Sequence, residues 1–320
     1  MLSDMTVISR NFASNTNVPV TQRRKTFEMN DEPVKVMAEI GCNHKGSLEI
    51  AKEMIRIASY VCKADVVKFQ KRTPKELLTN AEYNSPHPNP ANSYGATYGE
   101  HREYLEFSRD EHAELKQYCE FNGIEYSTSV WDMTSATEIA SLEPTLIKIP
   151  SACNLRFDML EYLCDNYSGE IHVSFGMTAV EEEEEIVSLF ESRSAGDRLV
   201  IYSCTSGYPV AFQDICLLEL IRLKEKFGSR VKSIGFSGHH LGIAADIAAM
   251  TLGATWVERH FTLDRTWKGT DHAASLEPDG LRRLVRDLKN VQLALAYKPT
   301  TEMLACEQEQ RSKLKRFQPS

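Results

Sequence analysis

The chain lacks any long apolar run. None of its apolar stretches approaches the roughly 18 residues that a bilayer-crossing helix needs, which excludes a transmembrane helix. It also lacks a basic stripe. Its 37 Lys and Arg face 45 Asp and Glu, a net charge of −8, and this argues against nucleic acid or an anionic membrane as partner. The N-terminus has no basic segment followed by an apolar core, so no secretory signal is read and a cytoplasmic location is expected. None of the eight cysteines (Cys42, Cys62, Cys119, Cys153, Cys164, Cys204, Cys216 and Cys306) forms a CxxC pair. Free thiols of a reducing compartment fit better than a disulfide framework or a zinc finger. The triplet Asn166-Tyr167-Ser168 matches a glycosylation acceptor; without a signal it reads as chance. Hydrophobic residues at 42% and charged residues at 26% leave an ordinary globular balance, which excludes wholesale disorder.

The organisation is rhythmic after a polar, irregular arm over 1–32 that carries Arg23, Arg24 and Lys25. Short apolar, β-branched segments at 34–39, 65–69, 124–128, 145–149, 171–175, 199–203, 232–237 and 255–260 read as strands. Amphipathic segments at 47–62, 109–122, 133–142, 155–166, 180–193, 212–227, 241–252 and 278–296 read as helices. Strands separated by helices pair in parallel with right-handed crossovers. Eight such units are what a closed (β/α)8 TIM barrel requires, here a single catalytic domain over 33–297 followed by a tail over 298–320. A doubly wound open sheet needs a glycine-rich first turn; Gly41-Cys42-Asn43-His44-Lys45-Gly46 does not match GxGxxG. Two segments interrupt the rhythm. Residues 73–108 form a long insertion rich in Pro, Asn, Tyr and Gly, of the kind that is usually functional. Glu181 to Glu185 read as the exposed first turns of a helix, where the dipole favours carboxylates.

In a (β/α)8 barrel the active site stands at the C-terminal ends of the strands. Those ends are Glu39; Lys68 to Lys71 with Gln70; Ser127-Thr128-Ser129; Lys148 with Ser151; Ser174; Ser203 with Thr205, Ser206 and Tyr208; Ser237 to His240; and Glu258-Arg259-His260. Two lysines and several hydroxyls at neighbouring ends suit a bound phosphate or carboxylate. His239 and His260, at adjacent ends, could share a divalent ion with a nearby carboxylate. Glu39 and Asp271 are candidate acid–base or hydroxyl-binding groups. These residues alone describe a metal-assisted barrel enzyme acting on an anionic small molecule, and an aldolase, isomerase or phosphohydrolase would look similar.

The strand-end motifs resemble the sialic acid (N-acetylneuraminate, nonulosonate) synthase family. They are Ala38-Glu39-Ile40-Gly41 with Asn43-His44, Val67-Lys68-Phe69-Gln70, Lys148-Ile149-Pro150-Ser151, Cys204-Thr205-Ser206-Gly207-Tyr208-Pro209, Ser237-Gly238-His239 and Glu258-Arg259-His260-Phe261-Thr262. The likeness runs from about 34 to 296. It implies a transferase that condenses phosphoenolpyruvate with a mannose-type hexose: N-acetylmannosamine, its 6-phosphate or mannose 6-phosphate. The product is a nine-carbon 3-deoxy-2-ulosonic acid plus phosphate. It implies Mn²⁺ or Mg²⁺ on His239 and His260, and Lys68, Thr128, Lys148, Ser151, Ser174, Ser206 and Ser237 around phosphoenolpyruvate. Glu39, Tyr208 and Asp271 would stand near the metal and the sugar, and Gln70 beside the substrate. Glu39, Lys68, Lys148 and Asp271 are the expected catalytic groups.

The segments Thr97 to Arg102, Leu105 to Ser108 and Thr262 to His272 look like the animal-type 9-phosphate synthases, whose hexose carries a 6-phosphate. Lys71, Arg72, His101, Arg102, Arg265, Lys268 and His272 are basic groups on expected rim loops that could hold that second phosphate. Three departures stand out. Ser151-Ala152-Cys153-Asn154 lacks the acidic residue usual in bacterial members, and Glu39 is the candidate to replace it. Gly238 stands where many relatives carry Asp. The C-terminal antifreeze-like domain, which completes the family's swapped dimer, is not expected, so a homodimer stays open. A synthase of another ulosonic acid from a different aldose, or an inactive sugar-binding homologue, are the alternatives.

Overall fold

The structure, a computed structural model, describes residues 33–299 and 301–317; the arm expected over 1–32 lies outside the described residues. Eight strands form where β-branched and aromatic residues cluster: β1 Lys35–Gly41, β2 Val66–Lys71, β3 Glu125–Val130, β4 Leu146–Ile149, β5 Glu170–Ser174, β6 Leu199–Cys204, β7 Ser233–Gly238 and β8 Trp256–His260. Every strand pairs in parallel with its sequence neighbours, and β8 closes onto β1 through the Lys35–Trp256 to Glu39–His260 register. The closed (β/α)8 barrel is the fold expected from the sequence.

Period-two alternation sorts the side chains of each strand between two faces. Val36, Ala38, Ile40, Val67, Phe69 and Val257 turn outward into one helix-facing cluster, and Ile147, Ile149, Ile171, Val173, Ile201 and Phe236 into another. Met37, Val66, Leu146, Val200, Tyr202 and Trp256 point inward and plug the barrel below the strand ends. The helices Arg109–Phe121, Met133–Ala140, Phe157–Asn166, Val180–Ser192, Ala244–Thr251 and Pro278–Ala294 occupy the expected segments. The first helix, Leu48–Arg56, widens into a π-helical segment over Ile57–Cys62. The helix expected over 212–227 starts only at Glu219, because Cys216 holds a left-handed φ of 54° that no helix accommodates.

The insertion 73–108 is built of short helical pieces, Pro74–Leu77, Asn80–Tyr83 and Tyr98–Tyr104, with a 3-10 turn at Pro90–Asn92. Reciprocal capping pairs Thr79 with Glu82 and Thr97 with Glu100, which fixes where two of them begin. The tail holds a further helix, Ala305–Leu314, with no buried residue. The acidic run is only partly a solvated face. Glu182 accepts the Ala179 N–H at 2.7 Å, but Glu183 is buried and takes a two-pronged bond from Arg222 at 2.7 and 2.8 Å. Among the described residues no helix is long and apolar enough to cross a membrane. All eight cysteines are free thiols.

Three histidines are built into this fold away from water. His44 stacks on Phe107 at 4.2 Å, His112 bonds the Tyr126 hydroxyl at 2.8 Å, and His172 bonds the Tyr202 hydroxyl at 2.8 Å. Burial first, and nearby positive charge second, holds His44 and His112 down to about 3. Burial likewise holds His172 down to about 4, partly offset by Glu170. In the unfolded chain such rings titrate near 6.5. Below that pH the unfolded chain takes up protons that the folded chain refuses, so stability is full above about 6.5 and falls as the pH drops toward 4. Urea midpoints at pH 7.5 and pH 5.5 will show this as a lower midpoint at pH 5.5. Equal midpoints would contradict the neutral burial of these rings.

Candidate active site

The inward positions at the C-terminal ends of the strands converge on one cavity of about 560 Å³. Its floor is ionic. Glu39 of β1 meets Lys68 Nζ of β2 at 2.5 Å; Glu258 of β8 meets Lys148 Nζ of β4 at 2.9 Å and Lys68 Nζ at 4.0 Å. The Ser237 hydroxyl donates to Glu258 Oε1 at 3.1 Å, and Gln70 Nε2 donates to Glu39 Oε1 at 2.8 Å. All four charged side chains are at most 8% exposed. The carboxyls respond oppositely. Burial raises Glu39 above the usual carboxylate range despite Lys68. Glu258 is buried as deeply, but its two ammonium neighbours hold it well below that range. Burial lowers Lys148, against the pull of Glu258. For Lys68 burial also opposes the charge, and Glu258 with Glu39 outweighs it, so its ammonium form is favoured.

One wall is rich in hydroxyls. Ser151, Ser174, Ser206 and Ser237 line the cavity beside the two lysines. The loops after β4, β5 and β6 meet at Gly176, whose N–H donates to Ser151 Oγ at 3.0 Å. A Cβ there would stand 2.4 Å from Ser206 Oγ and 2.6 Å from Ser151 Oγ, so only glycine allows this approach. Asn154, in the segment that lacks an acidic residue, points away. Its amide donates to the Ser174 carbonyl and to Thr178 Oγ1. The carboxylates lining the cavity are therefore Glu39, Glu258 and Asp271.

The opposite wall holds the imidazoles. The His239 and His260 rings lie 5.5 Å apart, with the Tyr208 ring 4.5 Å from His239 and 6.0 Å from His260. The Thr205 carbonyl can only accept, so His239 donates Nδ1–H to it at 3.1 Å and keeps Nε2 as a bare lone pair. Burial and His260 hold His239 down to about 3, so the ring is neutral. His260 Nδ1 is buried without a hydrogen-bond partner, 4.0 Å from Asp271 Oδ2. Among the described residues no three His, Cys, Asp or Glu side chains already surround one point. A neutral imidazole with its lone pair free, an orphaned ring nitrogen and a nearby carboxylate are nevertheless the donor set that a divalent cation takes.

Of the residues expected from sequence, Glu39, Lys68, Gln70, Lys148, Ser151, Ser174, Ser206, Tyr208, Ser237, His239, His260 and Asp271 line this one cavity. Three do not. Thr128 is buried on the outward face of β3, and alternation brings Ser129 into the cavity instead. Arg265 folds back to donate to the Ala273 carbonyl, and Lys268 packs its ammonium over the Tyr94 ring at 4.7 Å; both are exposed and neither reaches the cavity. Sequence reasoning missed Glu258. The signal was present, since two residues before His260 on the same strand must share its face. It also missed His87, Asn89 and Tyr98, which the insertion carries to the cavity mouth beside His101 and Arg102.

Comparison with known proteins fits this geometry. The NeuB family pattern matches residues 54–299. N-acetylneuraminate-9-phosphate synthase of Homo sapiens is 37% identical over 275 residues, covering 86% of this chain and 74% of that protein. N,N'-diacetyllegionaminic acid synthase of Legionella pneumophila is 31% identical over 263 residues, covering 81% and 72%. The crystal structure of N-acetylneuraminic acid synthetase from Leptospira borgpetersenii, in complex with citrate, superposes with a TM-score of 0.74 at 28% identity, over 89% of this chain and 94% of that one. The family match spans the barrel from β2 to β8, with the ends of those seven strands, and the chain belongs to the NeuB family.

Proposed function

We propose that the chain is a transferase that condenses phosphoenolpyruvate with the open-chain form of a mannose-type hexose. The products are a nine-carbon 3-deoxy-2-ulosonic acid and inorganic phosphate. The observation that carries this reading is the division of one cavity into two walls. Lysines and hydroxyls on one side suit a phosphate-bearing anion, and imidazoles with carboxyls on the other suit a sugar carbonyl. Relatives named as synthases of N-acetylneuraminate 9-phosphate and of N,N'-diacetyllegionaminic acid support it.

In this reading Lys68 and Lys148, with Ser151, Ser174, Ser206 and Ser237, hold the carboxylate and phosphate of phosphoenolpyruvate. His239 and His260 would hold a divalent cation, Mn²⁺ or Mg²⁺, which when bound supplies a Lewis acid for the aldehyde oxygen. Tyr208 and Asp271 hold sugar hydroxyls, and the walls keep the two substrates in line. The new bond joins C3 of phosphoenolpyruvate to the aldehyde carbon. Glu39, which burial pushes toward its protonated form against the pull of Lys68, is the group that gives a proton to the aldehyde oxygen as it becomes a hydroxyl. Water adds at C2 and gives one proton back to the Glu39 carboxylate; its second proton leaves with the phosphate as the C2–O bond breaks and the 2-keto group forms.

The acceptor in this reading carries a phosphate. Its support is the cavity mouth. Backbone N–H groups of Asn89 and Tyr94 donate to Nδ1 of His87 and of His101 at 3.0 and 3.1 Å, so each neutral ring carries its hydrogen on Nε2. Among the described residues neither Nε2 has a protein acceptor. The Arg102 guanidinium bonds the Tyr98 hydroxyl and no carboxylate. Three cavity-lining donors without an anion suit a phosphomonoester.

Purified protein with phosphoenolpyruvate and Mn²⁺ will release phosphate with N-acetylmannosamine 6-phosphate in preference to N-acetylmannosamine, mannose 6-phosphate or arabinose 5-phosphate, with the product mass of a 9-phosphate. Arg102→Ala will raise KM for the phosphorylated hexose about ten- to a hundredfold, the loss of one charge-assisted bond of about 1.5–3 kcal/mol, and will erase the preference. No product from any of the four sugars would overturn the reading. Lys148→Ala will raise KM for phosphoenolpyruvate by a similar factor. An unchanged KM would put the anion elsewhere.

A further inference from the structure

The inner plug of a barrel is ordinarily apolar. Here a polar column runs through it. At the floor, Lys232 pairs with Glu170 Oε1 at 2.8 Å, and the other Glu170 oxygen lies 3.0 Å from His172 Nε2. A carboxylate accepts, so Nε2–H donates to it, and Nδ1 must accept from the Tyr202 hydroxyl at 2.8 Å. His172 is 0% and Tyr202 0% exposed. Above them the Lys148 ammonium sits 3.5 Å from the centroid of the Tyr202 ring. Space for that ring is reserved on the neighbouring strand. A Cβ at Gly235 would stand 2.5 Å from Tyr202 Cε1. On the other side the His172 ring meets Trp256 edge-on at 4.7 Å.

We infer that Tyr202 is a positioning residue for Lys148, oriented by the Glu170–His172 column, and that its ring face keeps this buried lysine charged and aimed at the anion. This rests on the reading that Lys148 holds phosphoenolpyruvate. The physical argument concerns competition. Glu258 also holds Lys148, but a carboxylate there repels the incoming anion. A ring face stabilises the ammonium through its quadrupole while carrying no net charge, so it supports Lys148 without opposing the substrate. The column adds to this. A phenol that donates to an imidazole, itself donating to a carboxylate, is polarised toward its oxygen, which enriches the ring face beneath the cation. The groups that face Lys148 are Glu258 from β8, Lys68 from β2, Tyr202 and Cys204 from β6, and His172 from β5. Of these, Lys68 opposes its charge and the ring offsets that opposition.

The test replaces Tyr202 in the full chain by Phe and then by mono-, di- and trifluorinated Phe, which keep the shape while draining the ring face. Two quantities are read: phosphoenolpyruvate affinity by calorimetry, and the alkaline limb of kcat/KM for phosphoenolpyruvate. Affinity is expected to fall with each fluorine, three- to tenfold across the series. The alkaline limb should move to lower pH, because a less stabilised ammonium loses its proton earlier. A ring that only fills the core would shift neither, since all members fill it alike. Lys148→Met separates the two layers of the argument. If it weakens phosphoenolpyruvate binding while the fluorinated series stays flat, the role of Tyr202 is overturned and the lysine assignment stands. If it leaves binding unchanged, the assignment of Lys148 fails and this inference with it.

Discussion

Four buried charges on the cavity floor, Glu39, Lys68, Glu258 and Lys148, are the constraint on which the rest of the site depends. Each ion removed from water costs several kcal/mol unless its partner and hydrogen bonds are well placed. Two carboxylates and two ammoniums balance only if four different strands hold them at bonding distance. The closed register does this: Glu39 pairs in the ladder with both Lys68 and His260, and Ser237 with Glu258. The balance also explains why the two glutamates differ. Glu258 stands between two lysines and stays ionised, whereas Glu39 has one ammonium contact and its burial prevails. An anion bound at the lysines, as proposed, would add negative charge to a floor whose charges already pair. Glu39, which burial pushes toward its protonated form, is the carboxyl that would answer it.

Most of this was legible in the sequence because a parallel barrel has a short grammar. Eight apolar segments between amphipathic ones gave each strand within about two residues, since buried parallel strands read as near-continuous hydrophobic runs. Polar residues at the ends of those runs had to emerge at one rim, so twelve of the expected site residues share the cavity. The errors have physical reasons. Thr128 and Ser129 are adjacent hydroxyls, and which one faces inward depends on a phase of alternation that an approximate strand boundary does not fix. Glu258 was read as part of a strand end but given no role, although the same alternation ties it to His260. Glu183 belonged to a run that looks like a solvated face, and only the approach of Arg222 from a helix 39 residues away buries it.

The insertion 73–108 was legible as functional but not as geometry. Its capping pairs are local and could fix the starts of short helices. The direction of His87, His101, Arg265 and Lys268 depends on how loops from different strand ends pack together, and no periodicity encodes that. Basic residues with free choice of partner went elsewhere. Lys268 settled on the Tyr94 ring and Arg265 on a backbone carbonyl. His87 and His101 reached the cavity with their rings clamped by backbone bonds, and a ring held at Nδ1 has one remaining orientation for its N–H, while Arg102 reached it held by the Tyr98 hydroxyl.

The spacing of the two imidazoles has its own cause on the outer face of the barrel. His239 and His260 follow β7 and end β8, and these strands are paired through Gly238 and Arg259. Arg259 is fully buried and donates to Asp246, to the His240 carbonyl and to the Gly242 carbonyl. It therefore ties the loop that carries His239 to the strand that carries His260. Gly238 belongs to this clasp. A Cβ at Gly238 would stand 2.9 Å from both the His240 and the Phe236 rings, so His240 can lie against the strand only if position 238 has no side chain. Gly238 lies on the face turned away from the cavity, and its missing side chain leaves room for the packed His240 between the two strands whose ends carry rings 5.5 Å apart.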